Sequence, residues 1–177
     1  MPHQLLTSSY IIMLKNYKTH VKERLEQGIP PLPLNAEQVT ELVELLKSPP
    51  SGEEEYILDL ITNRIPAGVD PAAYVKAAFL TAVAKGETTS PLIDKKHATK
   101  LLGTMLGGYN VESLIGLLED PEVGSLAADG LSHTLLMFNA KHDVIELAET
   151  NENAKRVVDS WSDGEWFTTK PELPEVI

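Results

Sequence analysis

The sequence predicts an all-α fold, an irregular solenoid of about eight or nine short helices packed in antiparallel pairs. Apolar residues make up 42% of the 177 residues and aromatic residues only 6%, so aliphatic side chains and alanine must build most of the core. The apolar residues recur at helical spacing, and no segment shows the sustained alternation of a strand. Glycine, proline and capping residues interrupt the pattern after roughly ten to fifteen residues each time, which is typical of short packed helices.

The chain opens with residues 1–12, a leader that we expect to be disordered or a non-native extension. A first ordered helix is predicted from Asn16 to Gln27, ended by Gly28. Residues 29–34 hold three prolines. Each proline pushes the residue before it out of the helical region, so an extended connector should follow the helix. The predicted domain runs from residue 13 to residue 167.

Capping residues place the next helices. Asn35, with Gln38 three residues on, predicts a capping box. Ser51 is the expected cap of a third helix. Asp70 precedes a fourth helix that is apolar nearly all round, so this helix should be central. Asp94 is the expected cap of a helix that runs through Met105. Later helices are predicted over residues 111–118, 123–137, 141–149 and 153–161.

One segment, Leu114 to Leu131, resembles a single HEAT-type repeat. A first helix ends in leucines, Asp120 and Pro121 make a turn, and the second helix carries small alanines that allow close packing. The other helix pairs share no clean period. The sequence therefore predicts an irregular HEAT-like solenoid rather than a regular array.

The composition excludes several functions. The chain has no cysteine, which removes disulfides, cysteine nucleophiles and cysteine-bound zinc or iron–sulfur sites within it. A net charge of −11 disfavours binding to nucleic acid or to anionic membranes by this domain alone. We interpret the basic residues near the start as a solvated helix face; they are Lys15, Lys18, Lys22 and Arg24.

With no signal peptide and no membrane span in the sequence, a cytoplasmic location is predicted.

No motif indicates catalysis or a metal. The five histidines lack metal-ligand spacing, and His133 is interpreted as a core or interface residue. The glycines of Gly103 to Asn110 follow a helix and precede no lysine, so they do not form a phosphate loop. We expect Gly107 and Gly108 to end a helix and Asn110 to cap the next one.

The aromatic residues near the end could form a docking surface. Trp161, Trp166 and Phe167 are the one aromatic cluster of the sequence, and such residues are enriched at binding hot spots. Residues 168–177 have the composition of a linker, which we expect to lead toward a missing downstream domain.

Five segments of the sequence resemble one known family: Gly52–Asp70, Ala72–Leu80, Leu101–Asn110, Leu131–Phe138 and Ser160–Phe167. They are similar to the N-terminal region of bacterial aconitase B, an aconitate hydratase that is also a 2-methylisocitrate dehydratase. The resemblance covers nearly the whole chain from Met13.

The resemblance implies a HEAT-like domain at the front of a longer lyase of the tricarboxylic acid cycle, which isomerises citrate to isocitrate through cis-aconitate. In that family the domain is associated with docking, self-association and access to the active site. Its [4Fe–4S] cluster is held by cysteines far downstream. The resemblance therefore carries no catalytic, cofactor or metal residue onto this chain.

Two functions remain open from the sequence. The first is a non-catalytic docking domain, whose partners would be the downstream catalytic domains or a second copy. The alternative is a free-standing helical-repeat adaptor that binds a protein on its concave face. The reading frame after Ile177 would distinguish them.

Overall fold

The computed structural model describes residues 2–134 and 140–163 of the chain. Within them it shows nine helices and no strand, which confirms the predicted all-helical fold. The helices are α1 (Pro2–Glu26), α2 (Ala36–Lys47), α3 (Glu54–Asn63), α4 (Pro71–Lys85), α5 (Lys95–Gly103), α6 (Val111–Leu117), α7 (Gly124–Ser132), α8 (Lys141–Leu147) and α9 (Glu152–Ser162).

The helices pack as a row. Along its centre, α2 contacts α4, α4 contacts α5, α5 contacts α7, and α7 contacts α9. The remaining helices flank this row, with α1 and α3 against α2, α6 against α7, and α8 against α9. Contacts thus connect mainly neighbours along the row, as in helical-repeat proteins.

One continuous core runs through the row. Large side chains that are almost completely buried come from α2 through α6 and from the connections between them. Each such side chain stabilises the fold by about 1.5–3 kcal/mol relative to full exposure. They are Leu34, Leu42, Leu45, Leu46, Ile57, Leu60, Ile61, Leu80, Ile93, Leu102, Leu114 and Leu117.

Helix α1 is longer than the sequence predicted. It begins at Pro2 rather than at Asn16, and the interpretation of residues 1–12 as a leader outside the domain stays a prediction. Pro2 suits the first helical position, and the helix contains no other proline and no glycine. Met13 and Tyr17 are buried against the rest of the domain. Whether the leader is native stays a prediction.

The extended connector after α1 is confirmed, and two side chains of α1 hold it. The hydroxyl of Tyr17 donates to the carbonyl of Leu32 at 2.7 Å. The backbone N–H of Leu32 donates to Nε2 of His20 at 3.0 Å. Both backbone polar groups of Leu32 are therefore satisfied without a helix or a sheet.

The predicted caps of α2, α4 and α5 are confirmed. Asn35 and Gln38 exchange side-chain and backbone hydrogen bonds of 2.9 and 3.0 Å, which completes the capping box. Asp70 accepts from the backbone of Ala72 at 2.8 Å. Asp94 caps α5 in the same way. These bonds satisfy backbone donors that the first turn of a helix leaves free.

Two other helix ends differ from the prediction. Helix α3 begins at Glu54, and Ser51 is not its cap, because Gly52 turns the chain with φ +85° and donates to the Glu54 carboxylate at 2.7 Å. Helix α7 ends at Ser132 instead of residue 137. The hydroxyls of Ser132 and Thr134 bond to carbonyls four residues earlier, which competes with continuation of the helix.

Candidate docking surfaces

Trp161 on α9 forms a hydrogen bond to α7. Its indole Nε1 donates to the carbonyl of Leu131 at 3.0 Å, so α9 is tied to the end of α7. The ring is half-buried and packs against the core. Much of Trp161 is thus already used inside the domain. Trp166 and Phe167 lie outside the described residues, and a docking surface formed by all three residues stays a prediction.

The basic residues of α1 serve local structure. Lys18 binds both carboxylate oxygens of Glu53, at 2.6 Å for Oε1, and lies 4.7 Å above the Tyr56 ring. Arg24 donates to the carbonyl of Pro30 at 3.0 Å. These contacts support the interpretation of the basic cluster as a solvated face, since Lys18 and Arg24 are both used within the domain.

The described part of the chain brings no metal-binding group together. Across residues 10–134 and 140–163, whose side chains the structure describes, no three histidine or carboxylate side chains lie close enough to hold an ion. His133 is exposed at the end of α7, with Nδ1 2.8 Å from the Asp129 carbonyl, so it is not a core residue, and its role at an interface stays a prediction. Nor does the donor set fit an iron–sulfur cluster, since the sequence offers no thiolate.

A groove lies between α1, the connector and the start of α2. Its volume is about 400 Å³, and the lining includes Asn16, His20 and Gln38. A neighbouring groove of about 300 Å³ continues toward Glu41, where burial, with a smaller contribution from Glu37, raises the pKa of the carboxyl. Both grooves are shallow and partly polar. They place no reactive group beside another and support no specific ligand.

Two loops on a different part of the domain form an exposed apolar surface. We define the two-loop surface as Val69, Tyr74, Leu106 and Tyr109. Val69 follows α3, Tyr74 is in the first turn of α4, and Leu106 and Tyr109 lie between α5 and α6. Val69 is 73% exposed, Tyr74 60% and Leu106 68%. Tyr109 is half-buried beneath them. A single exposed apolar side chain is ordinary, whereas several near one another make a surface a candidate for binding.

The backbone under the two-loop surface is held by direct contacts between the loops. The N–H of Gly68 donates to the carbonyl of Leu106 at 3.2 Å, and the Tyr109 hydroxyl donates to the carbonyl of Val69 at 3.1 Å. The rings of Tyr74 and Tyr109 meet edge to face, with centroids 5.4 Å apart. This aromatic geometry is favourable and fixes the relative position of the two rings.

Glycine permits the close approach of the loops. Gly107 has φ +97°, and a Cβ built on it would lie 2.3–2.5 Å from three backbone atoms of Gly68. No side chain fits there, and the positive φ favours glycine as well. Gly107 therefore serves to join the two loops. The predicted role of Gly107 and Gly108 as the end of α5 is wrong, because α5 already ends at Gly103.

Asn110 fixes the far end of the second loop from inside the domain. Its side chain is 1% exposed, and its Nδ2 donates to the carbonyls of Leu102 at 2.7 Å and Met105 at 3.3 Å. It precedes α6 but makes no side-chain capping bond to it, contrary to the prediction. Asn110 instead binds one carbonyl in the last turn of α5 and one in the loop that follows it.

The two-loop surface is not among the features predicted from the sequence. A signal was present, since no charged residue occurs from Ile65 to Val69 or from Gly103 to Val111, in a chain that is 23% charged. Uncharged loop segments in an acidic protein are unusual enough to be marked as candidates. The partner segments lie far apart in sequence, so their contact needed the structure.

Comparison with known protein families shows the family of the chain. A family described as the aconitate B N-terminal domain matches residues 16–167. The chain belongs to this family. The resemblance drawn from the sequence is thereby confirmed. The matched residues include all nine helices of the described part except the first half of α1, and they include the whole two-loop surface.

Relatives of the aconitate B N-terminal domain family are long proteins. Aconitate hydratase B of Pseudomonas aeruginosa is 63% identical over 164 residues, which cover 92% of this chain and 19% of the relative. Its counterparts in Escherichia coli and Helicobacter pylori are 57% and 43% identical, with 92% and 93% of this chain covered, and again with 19% of their own length. The chain thus spans about a fifth of the relatives it matches.

One further property concerns membranes. Among the helices of residues 2–134 and 140–163, none combines the length and the hydropathy that crossing a bilayer requires.

Proposed function

We propose that this chain is the non-catalytic, HEAT-like N-terminal domain of an aconitate hydratase B, which docks onto the other domains of that enzyme and shapes access to its active site. The observation that carries the proposal is the family match over residues 16–167, together with relatives of which this chain spans only 19%. The row of packed helices supports a HEAT-like role, because such folds present extended surfaces to partners.

The chemistry of the whole enzyme follows from the same proposal. The parent protein would be a cytoplasmic lyase of the tricarboxylic acid cycle, converting citrate to isocitrate through cis-aconitate with a [4Fe–4S] cluster. This chain has no cysteine, so thiolate ligands for such a cluster would come from other domains. We assign no catalytic step to any residue of this chain.

The non-catalytic part of the proposal can be tested with the isolated chain. The chain is incubated anaerobically with iron and sulfide and then assayed for dehydration of citrate, beside the full-length Escherichia coli enzyme reconstituted in the same way. The full-length enzyme should be active, and the isolated chain should give the rate of the blank. Citrate turnover by the isolated chain above that blank would refute the proposal.

A further inference from the structure

We propose that the two-loop surface is the face on which the rest of the enzyme packs against this domain. The inference rests on the proposed function and deepens it, because it names the contacting residues and their occupant. The occupant is an apolar surface on the polypeptide that makes up the other four-fifths of the relatives, of which this chain spans 19%.

The backbone under the two-loop surface is held by hydrogen bonds, and this rigidity favours a docking role. Side chains that are 60–73% exposed stand on a backbone held by the Gly68–Leu106 and Tyr109–Val69 hydrogen bonds of 3.2 and 3.1 Å. A partner that binds such a surface orders little additional backbone, so less of its binding free energy is lost to entropy. Tyr74 and Tyr109 add large side chains with few rotatable bonds, which are enriched among binding hot spots.

The absence of charge in the two loops also favours a docking role. The domain has a net charge of −11, yet the loop segments 65–69 and 103–111 contain no charged residue. Interfaces that are permanently buried are depleted of charge and rich in apolar side chains, because an unpaired buried charge is costly. A site for a transient or strongly charged partner would need no such depletion. The composition fits a face that is covered for the life of the protein.

Charge and connectivity both favour the rest of the enzyme, rather than a second copy, as the partner of the two-loop surface. A second copy of this chain would have to bind from bulk solution, and its net charge of −11 would add a repulsion that salt screens. A domain of the same polypeptide is instead present at an effective concentration on the order of millimolar through its linker. The rest of the enzyme is therefore favoured over a second copy.

Hydrogen exchange tests the inference in the full-length enzyme that carries this domain. Exchange is measured for peptides covering residues 65–70 and 103–110, once in the isolated chain and once in the full-length enzyme. We expect both loops to exchange at least about tenfold more slowly in the enzyme, since burial restricts local opening. The exposed loop of residues 86–91 serves as the internal control and should be unchanged.

A matched pair of variants locates the effect. Leu106→Glu places a charge in the two-loop surface, while Leu25→Glu makes the same change on α1, where the side chain is similarly exposed at 62% against 68%. In the full-length enzyme, Leu106→Glu should abolish the protection of both loops, and Leu25→Glu should preserve it. Thermal unfolding of both variants of the isolated chain should match the wild type, which excludes misfolding as the cause.

The outcomes separate this inference from the proposed function. Equal exchange of both loops in the two forms, with protection elsewhere in the domain, would overturn the assignment of this face while the docking function stands. If no segment of the domain gains protection in the enzyme, the docking function itself fails. Protection that appears in the isolated chain as its concentration rises would assign the face to a second copy and overturn the inference.

Discussion

Gly130 on α7 and Gly103 on α5 meet where the two helices cross, so closely that a Cβ added to Gly130 would lie 2.8 Å from the Cα of Gly103. The neighbouring atom is backbone and cannot rotate away. The two helices belong to the central row of the domain. Their contact therefore helps to set the path of the row and the position of the loop that follows α5.

Replacement of Gly130 by alanine should destabilise the domain. The added methyl group must push α5 and α7 apart, and overpacking of this kind costs about 1–3 kcal/mol of unfolding free energy. Gly116→Ala is the matched control, because that position is helical and has no atom within 4 Å of a built Cβ. The control should gain about 0.5–1 kcal/mol from helix propensity. Urea unfolding followed by circular dichroism measures both, and a neutral Gly130→Ala would contradict the crossing geometry.

A second glycine pair tests the junction of the two loops. Gly107 and Gly108 have similar φ values of +97° and +95°, so alanine at either position incurs strain of about 1–2 kcal/mol. Only at Gly107 would the Cβ also collide with the backbone of Gly68. Gly107→Ala should therefore lower the unfolding free energy by about 1–3 kcal/mol more than Gly108→Ala. Equal losses in a denaturant titration would show that the loops do not need this contact.

Tyr17 and Tyr56 should respond oppositely to removal of the hydroxyl. The Tyr17 hydroxyl donates to the Leu32 carbonyl, whereas that of Tyr56 is buried without a hydrogen-bond partner. Tyr17→Phe should cost about 1 kcal/mol of unfolding free energy, because the carbonyl loses its donor. Tyr56→Phe should be neutral or stabilising by up to about 1 kcal/mol. The prediction is wrong if chemical denaturation shows that Tyr56→Phe lowers the unfolding free energy more than Tyr17→Phe does.

The buried Lys76 predicts a pH dependence. Lys76 is 7% exposed, its Nζ lies 3.4 Å from the Thr62 carbonyl, and burial lowers the pKa of its ammonium group from 10.5. The unfolded chain therefore binds more protons than the folded chain between the lowered pKa and 10.5. The destabilising effect of the charge is fully present below the lowered pKa and is relieved as the pH rises toward 10.5.

Replacement of Lys76 by methionine should reveal the destabilisation caused by the buried charge. At pH 7 the variant should be as stable as the wild type or up to about 2 kcal/mol more stable, since it removes a buried charge and keeps the volume. Its advantage should shrink between pH 7 and 10.5. Burial also raises the pKa values of Tyr17 and Tyr56, whose titration lowers stability at high pH, so the difference between variant and wild type is the quantity to measure. An advantage that grows with pH would contradict the assignment.

Local features of the fold could be predicted from the sequence. The caps at Asn35, Asp70 and Asp94 depend on residues two or three positions away, and the sequence displays both partners together. The start of α1 was missed because a moderately polar leader shows weak periodicity, although Pro2 marks the first turn. The family could be identified because long motifs are preserved along the chain.

Features that depend on distant residues could not be predicted. Gly107 was interpreted as a helix end because its partner Gly68 lies in another loop, and no short-range pattern links them. Asn110 was interpreted as a cap of the helix after it, while its amide is directed to the helix before it. The two-loop surface arises from these two long-range contacts, so its composition is visible in the sequence but its existence as one surface is not.

The proposed function requires that this domain docks onto the rest of an aconitate hydratase B. Isothermal titration of the isolated chain into an enzyme that lacks residues 13–167 measures this docking, provided that the truncated enzyme retains its iron–sulfur absorbance. We predict saturable binding of one chain per truncated enzyme, with a dissociation constant below about 1 mM, the range that a covalent linker makes effective. Absence of binding to a truncated enzyme that is folded and holds its cluster would contradict the claim.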